Sequence, residues 1–157
     1  MTHKEIIIPV EVVATDELAD SDRRLVALAR EAATRAYAPY SRFHVGAAIR
    51  LDNDEIVTGA NQENAAYPSG TCAERSACFY AHARYPEAKF QAIAIAAVGT
   101  DGHEVVEPVA PCGACRQALL EYEKLAGGPV RVILCGRDKC YVLPSVSSTL
   151  PLAFTEF

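Results

Sequence analysis

Long apolar runs are missing from this sequence of 157 residues. The longest near-continuous stretch, Gln91–Val98, is far shorter than the roughly 20 apolar residues that a transmembrane helix needs. The first residues, Met1 to Glu5, do not have the pattern of a secretory signal peptide. We therefore expect neither an integral membrane protein nor a membrane partner.

Clusters of basic residues are also missing. The chain has 15 Lys and Arg against 20 Asp and Glu, for a formal net charge of -5, and its basic residues stand singly or in pairs such as Arg23-Arg24. Binding a polynucleotide through its backbone requires many phosphate contacts from clustered Lys and Arg. We expect no nucleic-acid partner, and a small neutral substrate fits the charge better.

Composition places the chain among ordinary globular proteins, because half of its residues are hydrophobic. A chain of about 150 residues buries roughly 70% of its unfolded surface, so it needs no disulfides for stability. The six cysteines are therefore expected to be free thiols or metal ligands in a reducing cytoplasm. We predict a single domain over residues 1–157, in which residues 1–18 form an N-terminal extension.

Hydrophobic periodicity predicts an alternation of helices and strands. Apolar residues spaced by three and four indicate amphipathic helices, and short alternating or apolar runs between turn residues indicate strands. The predicted helices cover 20–38, 71–84, 112–126 and, briefly, 149–154, and the predicted strands cover 43–50, 55–60, 91–98, 130–135 and 139–143. This order predicts an α/β fold, a mixed five-stranded sheet with helices on both faces.

Two cysteine motifs precede predicted helices: Cys72-Ala-Glu74 and Pro111-Cys112-Gly-Ala-Cys115. The positive end of a helix favours thiolate over thiol, and three thiolates on one zinc leave the fourth tetrahedral position open for water. This pattern favours a catalytic zinc site with Glu74 beside the water. Two other functions remain open: a thiol redox protein that uses Cys112 and Cys115, and a non-catalytic zinc-binding module, which would need a fourth ligand.

Four separated blocks of the sequence resemble the cytidine deaminase family in its three-cysteine form. The blocks cover most of the chain: Tyr37–Ala48, Gly59–Tyr67 with Thr71–Arg75, Pro111–Gln117 and Leu150–Phe154. The resemblance implies a three-layer sandwich and one Zn²⁺ per chain, held by Cys72, Cys112 and Cys115. It further implies hydrolytic deamination of cytidine and 2′-deoxycytidine in pyrimidine salvage, with zinc-bound hydroxide as nucleophile and Glu74 as proton shuttle.

The resemblance also assigns residues around the substrate and the ligand sulfurs. It implies substrate contacts from Phe43, Asn61, Glu63 and the backbone N–H of Ala73, contacts to the ligand sulfurs from Arg75 and Gln117, and cross-subunit contributions from Tyr67 and Phe154 in a homotetramer. The chain departs from the family at its start, around Asp101 to Val109 and near its end, which affects the expected subunit contacts and leaves the zinc motifs untouched.

Several of these residues also have a purely structural interpretation. Glu74 completes a Thr-x-x-Glu capping box in form, Phe43 could be a core aromatic, and Asn61 and Glu63 could fix a loop. We interpret Cys78, Cys135 and Cys140 as packing residues, and we assign no histidine to catalysis. Within deaminases, the alternative substrate is a modified cytosine nucleoside of the blasticidin type, which the pair Asn61 and Glu63 disfavours.

Overall fold

A computed structural model describes residues 1–156 as one mixed sheet between helices. Six strands occur in this range, in the order β1-β6-β5-β4-β2-β3. Only the β4–β5 pair is parallel, and the other neighbours are antiparallel. The strands are β1 Glu11–Ala14, β2 His44–Leu51, β3 Ile56–Ala60, β4 Phe90–Val98, β5 Arg131–Cys135 and β6 Lys139–Leu143, and the α-helices are α1 Asp20–Ala33, α2 Ala73–Arg84 and α3 Gly113–Ala126.

Side chains of β4 alternate between two hydrophobic cores, one on each face of the sheet. Ala92, Ala94 and Ala96 pack in the core beneath α1, whereas Ile93 and Ile95 pack in the core beneath α2 and α3. This alternation follows from the two-residue period of a strand. The predicted α/β class, with helices on both faces of a mixed sheet in three layers, is confirmed.

The predicted strand count of five is wrong because β1 adds a sixth strand. Glu11–Ala14 lies within the predicted extension 1–18 and pairs antiparallel with β6, with Val13 opposite Cys140. A four-residue segment carries too little periodicity to be recognised alone, and its strand conformation comes from the open edge of β6.

Three helix predictions are also wrong. Helix α1 ends at Ala33 and does not continue to residue 38. Helix α2 begins after Cys72, which makes no side-chain capping bond, so Thr71 is not its N-cap. No helix spans 149–154; a 3₁₀ helix at Ser147–Thr149 is followed by irregular chain. Side chains of α3 bind this segment, because Gln117 Nε2 donates to the Phe154 carbonyl (2.8 Å) and Lys124 Nζ donates to the Thr155 carbonyl (3.1 Å).

Within the described part of the chain, no helix combines the length and apolar character required to cross a membrane.

Candidate metal centre and substrate cavity

Sheet topology brings the two cysteine motifs to one edge. Strands β3 and β4 run in the same direction, because each is antiparallel to β2 between them. Their carboxyl ends therefore lie at the same edge of the sheet, where open α/β sheets bind ligands. Helix α2 follows β3 and α3 follows β4, so both helices start at this edge. Cys72 and Cys112 occupy the N-cap positions of α2 and α3.

Three sulfurs converge between these helix starts. The Sγ atoms of Cys72 and Cys112 are 3.9 Å apart, those of Cys112 and Cys115 are 3.5 Å apart, and all three lie within 4.8 Å of one another. Tetrahedral zinc with bonds of about 2.3 Å separates its sulfur ligands by about 3.8 Å. The donor set and its spacing fit a zinc ion with three protein ligands.

The surroundings favour thiolate at Cys72. The neighbouring Cys115 thiol and the Arg75 guanidinium hold the pKa of Cys72 well below its usual value, whereas the same interaction and burial raise the pKa of Cys115. Arg75 Nη2 is 3.5 Å from the Cys72 sulfur, and this contact raises the pKa of Arg75. A guanidinium that donates to a ligand sulfur offsets part of the negative charge of three thiolates. The buried Arg75 Nε has no hydrogen-bond partner among residues 1–156.

Glu74 lies in the first turn of α2, two residues after Cys72. Its side chain is only 4% exposed, and this burial raises the pKa of the carboxyl group. A raised pKa suits a group that both accepts and delivers a proton near neutral pH. Because Thr71 is not the N-cap, the capping-box interpretation of Glu74 is wrong.

Close packing on β3 holds the first turn of α2 in place. A Cβ added at Gly59 would lie 2.6 Å from both the Ala73 carbonyl oxygen and the Ala77 nitrogen. No side chain larger than hydrogen fits between the strand and the helix at this point. The positions of Cys72 and Glu74 therefore depend on direct backbone contact between α2 and β3.

A cavity of about 470 Å³ adjoins the cluster. This volume lies within the range of small-molecule sites. Its walls include predicted site residues from several separate segments. The lining residues are Tyr40, Ser41, Asn61, Gln62, Glu63, Asn64, Tyr67, Gly70, Thr71, Cys72 and Arg75.

Asn61 and Glu63 line this cavity while also binding the backbone. Asn61 Nδ2 donates to the Phe43 carbonyl (2.9 Å), and Asn61 Oδ1 accepts from the Val45 N–H (2.7 Å). The Glu63 carboxylate accepts from the Ser41 hydroxyl and from the Tyr40 N–H (2.9 Å), and the Ser41 bond lowers the pKa of Glu63. The loop-fixing interpretation thus describes real contacts, and both side chains keep a place at the cavity wall.

Phe43 and Ala73 lie near the site but do not line this cavity. Phe43 instead lines a second cavity with residues from 99–109. Ala73 is fully buried at the first position of α2. Their roles toward the substrate remain predictions.

The two residues predicted to reach a neighbouring subunit lie in different places, Tyr67 at the cavity and Phe154 in the C-terminal segment. Tyr67 is 76% exposed at the cavity rim, where its ring meets the Tyr40 ring edge-on at 6.1 Å. Phe154 is 68% exposed, and its carbonyl binds Gln117. The Gln117 amide is therefore engaged with the C-terminal segment, and its predicted contact with the ligand sulfurs stays a prediction.

Sequence reasoning did not assign several residues that shape the site. Tyr40, Ser41, Gln62 and Thr71 line the cavity. All four lie within the blocks that resemble the family, and Gln62 and Thr71 directly adjoin an assigned residue. Arg116 Nε donates to the Pro111 carbonyl (2.7 Å) and its Nη1 donates to the Thr149 carbonyl (2.8 Å). In the sequence, these residues are distinguished only by their proximity to the motifs.

Comparison with known proteins agrees with this geometry. The family model described as "Cytidine and deoxycytidylate deaminase zinc-binding region" matches residues 19–126. The cytidine deaminase of Halalkalibacterium halodurans is 41% identical over 131 residues, covering 83% of this chain and 92% of that protein. The cytidine deaminase of Mycobacterium tuberculosis H37Rv is 45% identical over 106 residues, covering 66% and 74%.

A solved structure extends the likeness to the fold. The crystal structure of cytidine deaminase from Burkholderia pseudomallei superposes with a TM-score of 0.71 at 36% sequence identity, covering 87% of this chain and 100% of that one. The matched region of the family model contains all three cysteines of the cluster and Glu74. The chain belongs to the cytidine and deoxycytidylate deaminase zinc-binding family.

Proposed function

We propose that this protein catalyses the hydrolytic deamination of cytidine and 2′-deoxycytidine to uridine and 2′-deoxyuridine, with release of ammonia, as a step of pyrimidine salvage. One observation carries the proposal: the three sulfurs meet at the starts of α2 and α3, and the buried Glu74 carboxyl interacts with Cys72 and Cys115. Relatives at 41% and 45% identity carry the name cytidine deaminase, which supports the same activity.

Cys72, Cys112 and Cys115 would hold one zinc ion per chain, which supplies water activation by lowering the pKa of water from about 15.7 toward 7. Glu74 accepts the proton that water loses as its oxygen attacks C4 of the cytosine ring. The same carboxyl group delivers this proton to ring nitrogen N3, and then moves a second proton to the departing amino group. Water and cytidine thereby yield uridine and ammonia.

Substrate binding uses the cavity next to Cys72. Asn61 and Glu63 lie on its wall with oxygen and nitrogen atoms that can bind ribose hydroxyls. The Ala73 N–H, at the first position of α2, would donate to the base carbonyl. Phe43 would stack on the pyrimidine after its ring turns from the neighbouring cavity.

The proposal includes assembly and location. We infer a homotetramer in which Tyr67 and Phe154 close a neighbouring subunit's site, and the large exposed aromatic surface of both residues supports this. We infer a cytoplasmic protein, because free and metal-binding thiols are typical of a reducing compartment. Light scattering gives the subunit number. Mixing Glu74→Gln subunits with Tyr67→Ala subunits tests shared sites, since hybrids regain activity only if Tyr67 acts across the interface.

The decisive test follows the ultraviolet absorbance of cytidine and 2′-deoxycytidine with purified protein, while zinc content is measured on the same sample. Loss of the cytosine absorbance band at one zinc per chain, abolished by chelation and restored by zinc, is the expected result. A zinc-loaded protein that converts neither nucleoside overturns this substrate assignment and favours a modified cytosine nucleoside. A protein that binds no zinc overturns the mechanism.

A further inference from the structure

Cys135 and Cys140 form a second, separate cysteine pair in the sheet. They are direct partners in the antiparallel register of β5 and β6. Neither side chain is exposed, and both pack in the core beneath α1. The proposed deamination uses neither residue.

The register places the two side chains at disulfide distance. Directly opposed residues of an antiparallel pair have Cα atoms about 4.5–5.5 Å apart, within the 4.4–6.8 Å range of disulfides. The Gly136 N–H donates to the Lys139 carbonyl (2.9 Å), which marks the adjacent pair as hydrogen-bonded. Since pair types alternate, Cys135 and Cys140 form a non-hydrogen-bonded pair, whose side chains are the closer kind.

The surroundings of the pair favour a thiolate at Cys140. The neighbouring Cys135 thiol lowers the pKa of Cys140 against the opposing effect of burial, and the same interaction raises the pKa of Cys135. Thr15 Oγ1 lies 3.8 Å from Cys140 Sγ. The Arg30 guanidinium donates to the Gly136 carbonyl (2.9 Å) at the adjoining turn, and its positive charge also lowers the pKa of Cys140. Glu104, which is ion-paired with Arg30 (2.7 Å), partly offsets this effect.

We propose that Cys135 and Cys140 are a dithiol site that a peroxide oxidises to an intrachain disulfide. The Cys140 thiolate attacks one peroxide oxygen, the O–O bond breaks, and the leaving oxygen takes a proton to become water or an alcohol. The resulting sulfenic acid is attacked by the Cys135 sulfur, the S–S bond forms, and the S–O bond breaks with loss of water. The two sulfurs lose two electrons in total, which the peroxide accepts.

Access to the buried pair comes from the edge of the sheet. Cys140 is covered by β1, a four-residue edge strand that pairs only with β6, and by Thr15, the residue that follows it. Short edge elements open locally at a lower free-energy cost than the centre of a sheet. Cys72, Cys112 and Cys115 differ, because under the proposed function their thiolates would be held by zinc.

The test treats the full-length, zinc-loaded protein with hydrogen peroxide, blocks remaining thiols and digests the unreduced sample with trypsin. Cleavage after Arg131, Arg137 and Lys139 leaves Cys135 in peptide 132–137 and Cys140 in peptide 140–157. The expected product is these two peptides joined, lighter by two hydrogens than their sum and separated by a reductant, with unchanged zinc content.

A Cys135→Ser variant provides the matched control, because Cys140 then has no partner. Its sulfenic acid should accumulate and react with dimedone, and the joined peptides should disappear. Recovery of both thiols unmodified in the native protein, at a peroxide dose that already releases zinc, overturns the proposal. Disulfides found only between chains, or only with zinc ligands, overturn it as well, and these results do not depend on how the variant folds.

Discussion

The molecule holds two sets of cysteines whose chemistry differs because of where the backbone places them. Cys72 and Cys112 stand at helix N-caps on the sheet edge, next to a cavity and the Arg75 guanidinium. Cys135 and Cys140 lie within neighbouring strands, fully buried under α1. Helix N-termini stabilise negative charge toward an open position, whereas strand pairing places two sulfurs directly opposite each other. The same residue type thus suits metal binding in one place and sulfur–sulfur chemistry in the other.

The largest expected effect comes from removing a ligand. Cys112→Ala leaves two thiolates, so we expect loss of bound zinc and a fall in turnover of more than about 100-fold. Metal analysis and the nucleoside absorbance assay measure both. Cys135→Ala, the same substitution in the buried pair, is the control and should keep zinc at one per chain. Zinc loss in both variants would contradict the assignment of metal binding to the first set of cysteines alone.

Glu74→Gln is expected to separate chemistry from metal binding. The amide retains the size of the buried side chain but cannot carry the proton, so kcat should fall by about 10²–10⁴-fold while zinc content and fold persist. Stopped assays measure kcat, and metal analysis of the same preparation measures the zinc content. The exposed Glu121→Gln on α3 should match the parent protein. Full activity in Glu74→Gln would refute the proton-shuttle role.

Arg75→Gln should have a smaller effect, confined to the metal site. It removes the donor 3.5 Å from the Cys72 sulfur, so zinc affinity or kcat should fall by about 10–100-fold. Competition with a chelator and steady-state kinetics would measure the two quantities. Arg84→Gln, at the far end of the same helix, should change neither. Equal losses in both variants would point to helix stability instead of the sulfur contact.

The smallest expected effect belongs to the buried pair. Cys135→Ala leaves a small void in the core and should lower the free energy of unfolding by about 1–2 kcal/mol, with kcat and KM unchanged. Urea unfolding measures the first quantity, and the absorbance assay measures the second. A change in KM without a change in stability would link this pair to the substrate site.

Local patterns predicted those parts of the fold whose causes are local. The strand 139–143 is confirmed at both ends, and α3 ends at Ala126, followed by Gly127 in a left-handed conformation (φ 70°). The convergence of the three cysteines followed from helix starts and motif spacing together. These signals depend on turn chemistry and residue order, which a sequence contains.

The remaining features depend on contacts between distant segments. Strand β1 exists because β6 offers an edge, and the predicted terminal helix is absent because α3 side chains bind carbonyls of that segment. Asn61 binds the backbone on either side of His44, which no spacing in the sequence reveals. Tertiary hydrogen bonds of this kind override local preference.

Gly59 makes the cluster and the cavity differ in their tolerance of substitution. Since α2 packs directly on the backbone of β3 at this position, even one added methyl group would push away the helix that bears Cys72 and Glu74. The cavity wall is formed largely by loop residues, where a changed side chain alters the shape of the cavity without moving that helix. The sulfur cluster therefore has a narrow mechanical tolerance, and the substrate wall has a wide one.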